Sequence, residues 1–336
     1  MSNRWPAGIV RKTPVTPAGP AQNGAASGVW SLADAAYWTK QGLWPIAGFI
    51  PDGTFAIFAL GSVSGLGSTT RNKYTYSGCV VSAGGAATTA SAGGSAAGNS
   101  TVGIFALGCA GGGSTTRNKY TYVGCVVSAG GAATAASSYG SAAGNNTVGI
   151  FALGYVGAAS TTRNKYTYSG CAVAAATASS AAAGEGSAVG NSTVGIFTLG
   201  NSSVTRNKYT YSGDTNAAAT NTASGTLGGS AAGNSTAGII ALGNTTAGGR
   251  VATRDKYTYS GCTVTAGGAA TTTARFGAAS GNSTVGIFAL GCTSPGASTT
   301  RDKYTYSGCV VAAGGAATAA SQYGSAASNG TSGVNF

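Results

Sequence analysis

Twelve of the 18 basic residues in this chain occupy one recurring string, Thr-Arg-(Asn/Asp)-Lys-Tyr-Thr-Tyr. The pairs are Arg71/Lys73, Arg117/Lys119, Arg163/Lys165, Arg206/Lys208, Arg254/Lys256 and Arg301/Lys303. Cations repeated at fixed phase gather into a ring wherever the repeats close on themselves. Such a ring attracts anionic glycans or a negatively charged protein. The same charges also suit a plain solvated strand face that keeps a Gly- and Ala-rich chain soluble and blunts lateral aggregation. Both readings stand on the sequence. Nucleic acid is not an expected partner, because the tyrosines alternate away from the charges and no aromatic–basic interleaving falls on one face.

Acid–base chemistry has little to work with. The chain has no histidine, one glutamate (Glu185) and five aspartates, of which Asp255 and Asp302 replace a repeat asparagine and Asp214 a repeat cysteine. General acid–base catalysis usually needs a paired set of such groups, and no base is at hand to activate the many hydroxyls. The expectation is a protein that is not an enzyme and that holds no metal or cofactor. Seven cysteines form no CxxC pair, and five of them (Cys79, Cys125, Cys171, Cys262, Cys309) recur at one repeat position. Equivalent positions of neighbouring units lie too far apart for a disulfide, so reduced thiols and assembly in a reducing cytoplasm are expected. No apolar run is long enough to span a bilayer, and the first residues carry no apolar signal core.

The elements that would position these residues follow from self-similarity. The repeat arginines are spaced 46, 46, 43, 48 and 47 residues apart. A second string, typified by Gly-Ile-Phe-Ala-Leu-Gly, ends at Gly61, Gly108, Gly154, Gly200, Gly243 and Gly291. Each unit reads as four short strands. In one copy, Ser95 to Gly108 forms a hairpin turning at Gly98-Asn99 and running into an apolar strand, Val102 to Leu107. The third strand alternates, with Asn72, Tyr74 and Tyr76 on one face and Arg71, Lys73 and Thr75 on the other. A fourth lies near Cys79-Val80-Val81. One such sheet cannot cover its own faces, and stacking the units around an axis does so. The expected fold is all-β, a propeller of six four-stranded blades with seven as the alternative. The C-terminal stretch that resembles Ser-Ala-Ala-Gly-Asn-Ser-Thr-Val-Gly-Ile-Phe is expected to close the ring as a strand pair. Loops after each GIFALG (62–67, 109–113, 155–159, 201–204, 244–251 and 292–297) vary most, which makes them candidates for recognition.

On these residues the chain resembles the kelch family of β-propellers over about residues 46–336. GIFALG stands where that family has an apolar strand ending in Gly-Gly, and KYTYSG looks like its tyrosine strand and turn. The family's tryptophan has no counterpart, since Cys-Val-Val stands near its place. The resemblance implies a kelch-like β-propeller, with a cellular kelch-type interaction scaffold as an alternative function.

Residues 1–45 read as an N-terminal arm. Ser31 can cap a small helix from about Leu32 to Gln41, with Asp34 in capping-box position. Trp30, Leu32, Tyr37, Trp38, Leu43 and Trp44 concentrate bulky apolar side chains there. The segment 27–45 is similar to one recurring in tail and fibre proteins of tailed bacteriophages, and KYTYSG/GIF repeats resemble phage tail-fibre-like proteins. That resemblance implies a virion protein on the tail or outer surface, made in the host cytoplasm. Those six residues would dock on another tail or baseplate protein, or else plug the propeller. The propeller would bind a host surface glycan or protein, or alternatively only decorate tail or capsid. Self-association is left open.

Overall fold

The computed structural model describes residues 4–5, 8–9, 31–40 and 53–330, less 110–111, 247–248 and 295. The chain divides into two compact units, Met1–Pro51 and Asp52–Phe336.

Within the first unit, Arg4–Trp5 pairs antiparallel with Gly8–Ile9. The helix runs Leu32–Lys40. Ser31 caps it as expected: its Oγ accepts the Asp34 N–H at 3.1 Å and donates to the Asp34 carboxylate at 2.5 Å. Tyr37 is exposed, and its ring meets that of Trp38 edge to face at 5.1 Å. Trp30, Leu43 and Trp44 lie outside the described residues, as does the side chain of Leu32.

The second unit is a β-propeller of six four-stranded antiparallel sheets. Blade 2 shows the plan from the axis outward: Ser95–Gly98, Val102–Ala106, Arg117–Thr121 and Val126–Ala129. Blades 3 to 6 repeat it with inner strands Ser141–Gly144, Ala188–Gly190, Ser230–Gly233 and Ala278–Gly281. Blade 1 is composite. Its inner strand Ser325–Ser328 comes from the C-terminus and pairs with Phe55–Ala59, followed by Arg71–Thr75 and Val80–Ala83. The six inner strands contact one another in a closed ring. Closure by the C-terminal stretch is as expected, but among the described residues one strand performs it rather than a pair.

Each element has a local cause. The Gly-Asn turn is held by its asparagine: Asn99 Oδ1 accepts the backbone N–H of Thr101 and of Val102, each at 2.9 Å. Asn99 Nδ2 then donates to the Asn146 carbonyl of the next blade at 3.0 Å. The apolar second strand is buried on both faces, as the uncharged run predicts. Its glycine serves the tyrosine strand: a Cβ on Gly149 would stand 2.8 Å from the Tyr168 hydroxyl. The second tyrosines reach backward between blades, Tyr306 donating to the Gly233 carbonyl at 3.0 Å.

The third strand corrects one expectation. Arg71, Lys73 and Thr75 do not share a solvated face, because the next blade covers the arginine end. All six repeat arginines are at most 2% exposed. The lysines of the string fare differently: Lys73, Lys119, Lys165, Lys208, Lys256 and Lys303 are all half-buried, neither sealed in nor freely solvated. Alternation assigns a residue to a face but does not say how deep that face lies. In a stack both faces are interior.

Candidate functional site

The buried arginines form a relay. Arg71, Arg117 and Arg163 each donate from Nη2 to the amide oxygen of Asn118, Asn164 and Asn207 in the next blade, all at 3.0 Å. Arg206 and Arg254 meet Asp255 and Asp302 at 2.7 Å, and Arg301 returns to Asn72 at 3.1 Å. Each acceptor also takes a backbone N–H from the strand-to-strand connection beside it, as Asn118 does from Thr88 at 3.1 Å. Four guanidiniums thus have no carboxylate. An aromatic face compensates, with Arg71, Arg117, Arg163 and Arg301 lying 4.6 Å over Phe105, Phe151, Phe197 and Phe58. Desolvation brings their pKa values down to about 10, so they remain charged at neutral pH. Where Ile240 replaces the phenylalanine, the aspartate Asp255 supplies the compensation for Arg206.

The twelve-cation ring expected on the surface is therefore half structural. Its arginines are blade-to-blade fasteners. Its six lysines are half-buried, and their surroundings differ from the open solvated face expected of them. Lys73 Nζ lies 4.3 Å over the Phe55 ring. Lys119 stands between Ile104 and Ser128 on the neighbouring strands, and Lys303 between Ile287 and Ala312. Lys208 Nζ is 3.8 Å from the Cys262 thiol and Lys256 Nζ 4.0 Å from that of Cys309. Lys165 lies close enough to Asp214 for its charge to add a small share to the lowering of that carboxyl's pKa, after the Thr177 and Tyr209 hydrogen bonds. For Lys165, Lys208 and Lys256 the neighbour is the outer turn of the next blade, at Asp214, Cys262 and Cys309.

All seven cysteines are free. The five repeat cysteines hold left-handed φ values near 50° in the outer turn, and Asp214 takes that role in blade 4. Asp214 accepts hydrogen bonds from the Tyr209 hydroxyl and, at 2.9 Å, from the Thr177 N–H. Burial alone would raise its pKa, but these donors bring it below the usual carboxylate value.

A second relay, made of backbone, surrounds one end of the axis. Just before each inner strand stands a residue with φ between 53° and 66°: Gly93, Tyr139, Glu185, Gly228, Phe276 and Tyr323. Each donates its N–H to the carbonyl of the one before, with distances from 2.6 to 3.0 Å, and Gly93 closes the circle on Tyr323 at 2.9 Å. Left-handed backbone strains any residue but glycine, and four of six positions carry side chains regardless. The residues that follow them, among them Ser95, Ser141, Ser187 and Ser230, line an axial cavity of about 50 Å³. The ring marks its mouth.

At this mouth the blades stop being alike. Three of the four tyrosines outside the repeat string (Tyr139, Tyr155, Tyr323) lie there, with Glu185, Arg275 and Phe276. The rings form a chain. Tyr155 meets Tyr139 at 6.1 Å, Tyr139 meets Tyr323 at 5.3 Å, and Tyr323 stacks on Phe276 at 4.2 Å. Arg275 ends the chain, its guanidinium 4.5 Å over Phe276. At the other end the Tyr155 hydroxyl donates to Asn201 at 2.9 Å. The two glycines admit the rings, since a Cβ on Gly93 would stand 2.8 Å from Tyr139 and one on Gly228 2.3 Å from Phe276.

Electrostatics tie the cluster together. Burial raises the Glu185 pKa, and Arg275 pulls the other way. Burial, then the Cys109 thiol, pushes Tyr139 up to about 12. Tyr155 and Tyr323 are raised by burial and then by Glu185. The variable loops join the same face: Tyr155 pairs with Ser138, Asn244 with Leu227 and Cys292 with Arg275, each directly before a ring residue. The loops expected to carry specificity therefore border the mouth. Tyr139, Glu185, Arg275, Phe276 and Tyr323 were not among the expected site residues.

No family model matches the chain, and no curated protein matches it. A solved structure titled "Structure of YjhT" is similar to it, with a TM-score of 0.55 at 10% identity, over 73% of this chain and 93% of that one. That likeness shows a shared fold.

Proposed function

We propose that this protein is a recognition module of a phage-type virion. Residues 1–45 would attach it to a tail or baseplate protein, and the propeller would present its mouth to the host surface. The observation that carries the recognition part is the convergence of the departures from six-fold repetition on one face. A scaffold under packing constraint alone has no reason to place Tyr139, Glu185, Phe276 and Tyr323 in a left-handed ring where glycine serves at Gly93 and Gly228. The virion setting rests on the resemblance of segment 27–45 and of the repeats to phage tail proteins.

The reading is of binding rather than catalysis. Glu185 stands apart from the other described acids of the propeller: Asp255 and Asp302 are committed to buried arginines, and Asp214 to the outer turn. The half-buried lysines and the net charge of +12 favour encounter with an anionic cell surface at long range.

The test is adsorption. Labelled full-length protein should bind bacterial cells of the host and compete with infection, and the double variant Tyr139→Gly, Tyr323→Gly should do neither while keeping its melting temperature. Absence of adsorption, with the protein found inside the particle or symmetrically on its shell by electron microscopy, would replace this reading with a purely structural role.

A further inference from the structure

The chemistry of the mouth narrows the ligand. An aromatic chain offers flat apolar faces, of which Tyr139, Tyr155 and Tyr323 stay partly exposed. Beside it stand one carboxylate that accepts hydrogen bonds and one guanidinium that donates them. Arg275 is half-buried and forms no ion pair among the described residues. Glu185 is half-buried and forms no ion pair among the described residues. An apolar face next to spaced acceptors and donors matches a pyranose ring, whose C–H bonds stack on an aromatic face while its hydroxyls both donate and accept.

We infer that the mouth holds a single saccharide unit, stacked on the partly exposed Tyr139 ring with its hydroxyls shared between Glu185 and Arg275. This rests on the recognition reading above and goes beyond it by naming ligand class and site. The stoichiometry follows from the asymmetry. Six equivalent blades would offer six equivalent sites, but the carboxylate, the guanidinium and the stacked pair each occur once around the ring.

The experiment applies full-length protein to an array of bacterial surface oligosaccharides and then titrates the best responder calorimetrically. One site per chain is expected. Hydrogen bonds to charged groups contribute about 1.5–3 kcal/mol, so Glu185→Gln should weaken binding about ten- to a hundredfold. Tyr139→Ala should abolish it, and Val126→Thr on the exposed outer strand of blade 2 should leave it unchanged. Circular dichroism melts check that each variant folds. Saccharide binding that survives both mouth substitutions would overturn the site. A silent array with intact adsorption to cells would overturn the saccharide and leave recognition standing, and a silent array without adsorption would remove both.

Discussion

Arg301 donates its guanidinium to the amide oxygen of Asn72 at 3.1 Å, across 229 residues of sequence. That bond closes a circle of six, and the Gly93 N–H donating to the Tyr323 carbonyl closes the backbone circle at the mouth. The propeller is thus fastened twice, by side chains between third strands and by main chain around the axis. Both fasteners need every blade in place. The predictions below separate what each contributes.

The Arg254–Asp302 pair tests the side-chain circle. Four of the six acceptors are asparagine, so Asp302→Asn should change stability little. Asp302→Ala leaves a buried guanidinium without its partner and should cost about 3–5 kcal/mol. Chemical denaturation of the two variants measures the difference.

Glu185 carries strain and charge that the fold does not need. Glycine holds the equivalent place in blades 2 and 5. Left-handed backbone costs a non-glycine residue about 1–2 kcal/mol, partly offset by about 0.5–1 kcal/mol of glycine's extra chain entropy. Glu185→Gly should therefore be neutral or stabilising by up to about 1.5 kcal/mol. Loss of cell adsorption alongside gained stability would be the signature of a functional residue.

The pH dependence of Glu185 has a definite sign. Its folded pKa is raised by burial, so the folded state disfavours the ionised form. The resulting penalty is complete above the folded value and vanishes below the unfolded one. Glu185→Gln should be more stable than the parent at neutral pH, and the gap should close as pH falls through the carboxylate range. Melting curves of both proteins across that range decide it.

Closure depends on the last described strand. Truncation after Ala320 removes Ser325–Ser328, exposes the edge of Phe55–Ala59 and deletes Tyr323 from the mouth circle. An unpaired apolar edge is a template for intermolecular pairing. The truncated chain should aggregate or populate oligomers in size-exclusion chromatography where the parent gives one species.

The blades were legible because their signals are local. Alternation in Arg-Asn-Lys-Tyr-Thr-Tyr, the Gly-Asn turn and the uncharged Val-Gly-Ile-Phe-Ala run each determine a strand within a few residues, and six repetitions remove ambiguity. The burial of Arg117 and the half-burial of Lys119 were not legible. The partners of Arg117, Asn164 and Phe151, belong to the next unit, and no spacing within a unit reveals a neighbour's face. The mouth residues were hidden differently. Tyr139, Glu185 and Phe276 sit in Gly/Ala tracts that read as connections. Lining up the repeats on the constant glycine before each inner strand (Gly94, Gly140, Gly186, Gly229, Gly277, Gly324) exposes the signal, since the preceding column runs Gly, Tyr, Glu, Gly, Phe, Tyr and the one before it Ala, Ser, Gly, Leu, Arg, Gln.

Hydroxyl-radical footprinting of the full-length protein on host envelopes tests the recognition face most directly. Protection should concentrate at Tyr139, Tyr155 and Tyr323, with the outer-strand Val126 and Val310 as reactive as in free protein. Protection of the outer strands with the three tyrosines unchanged would contradict the account.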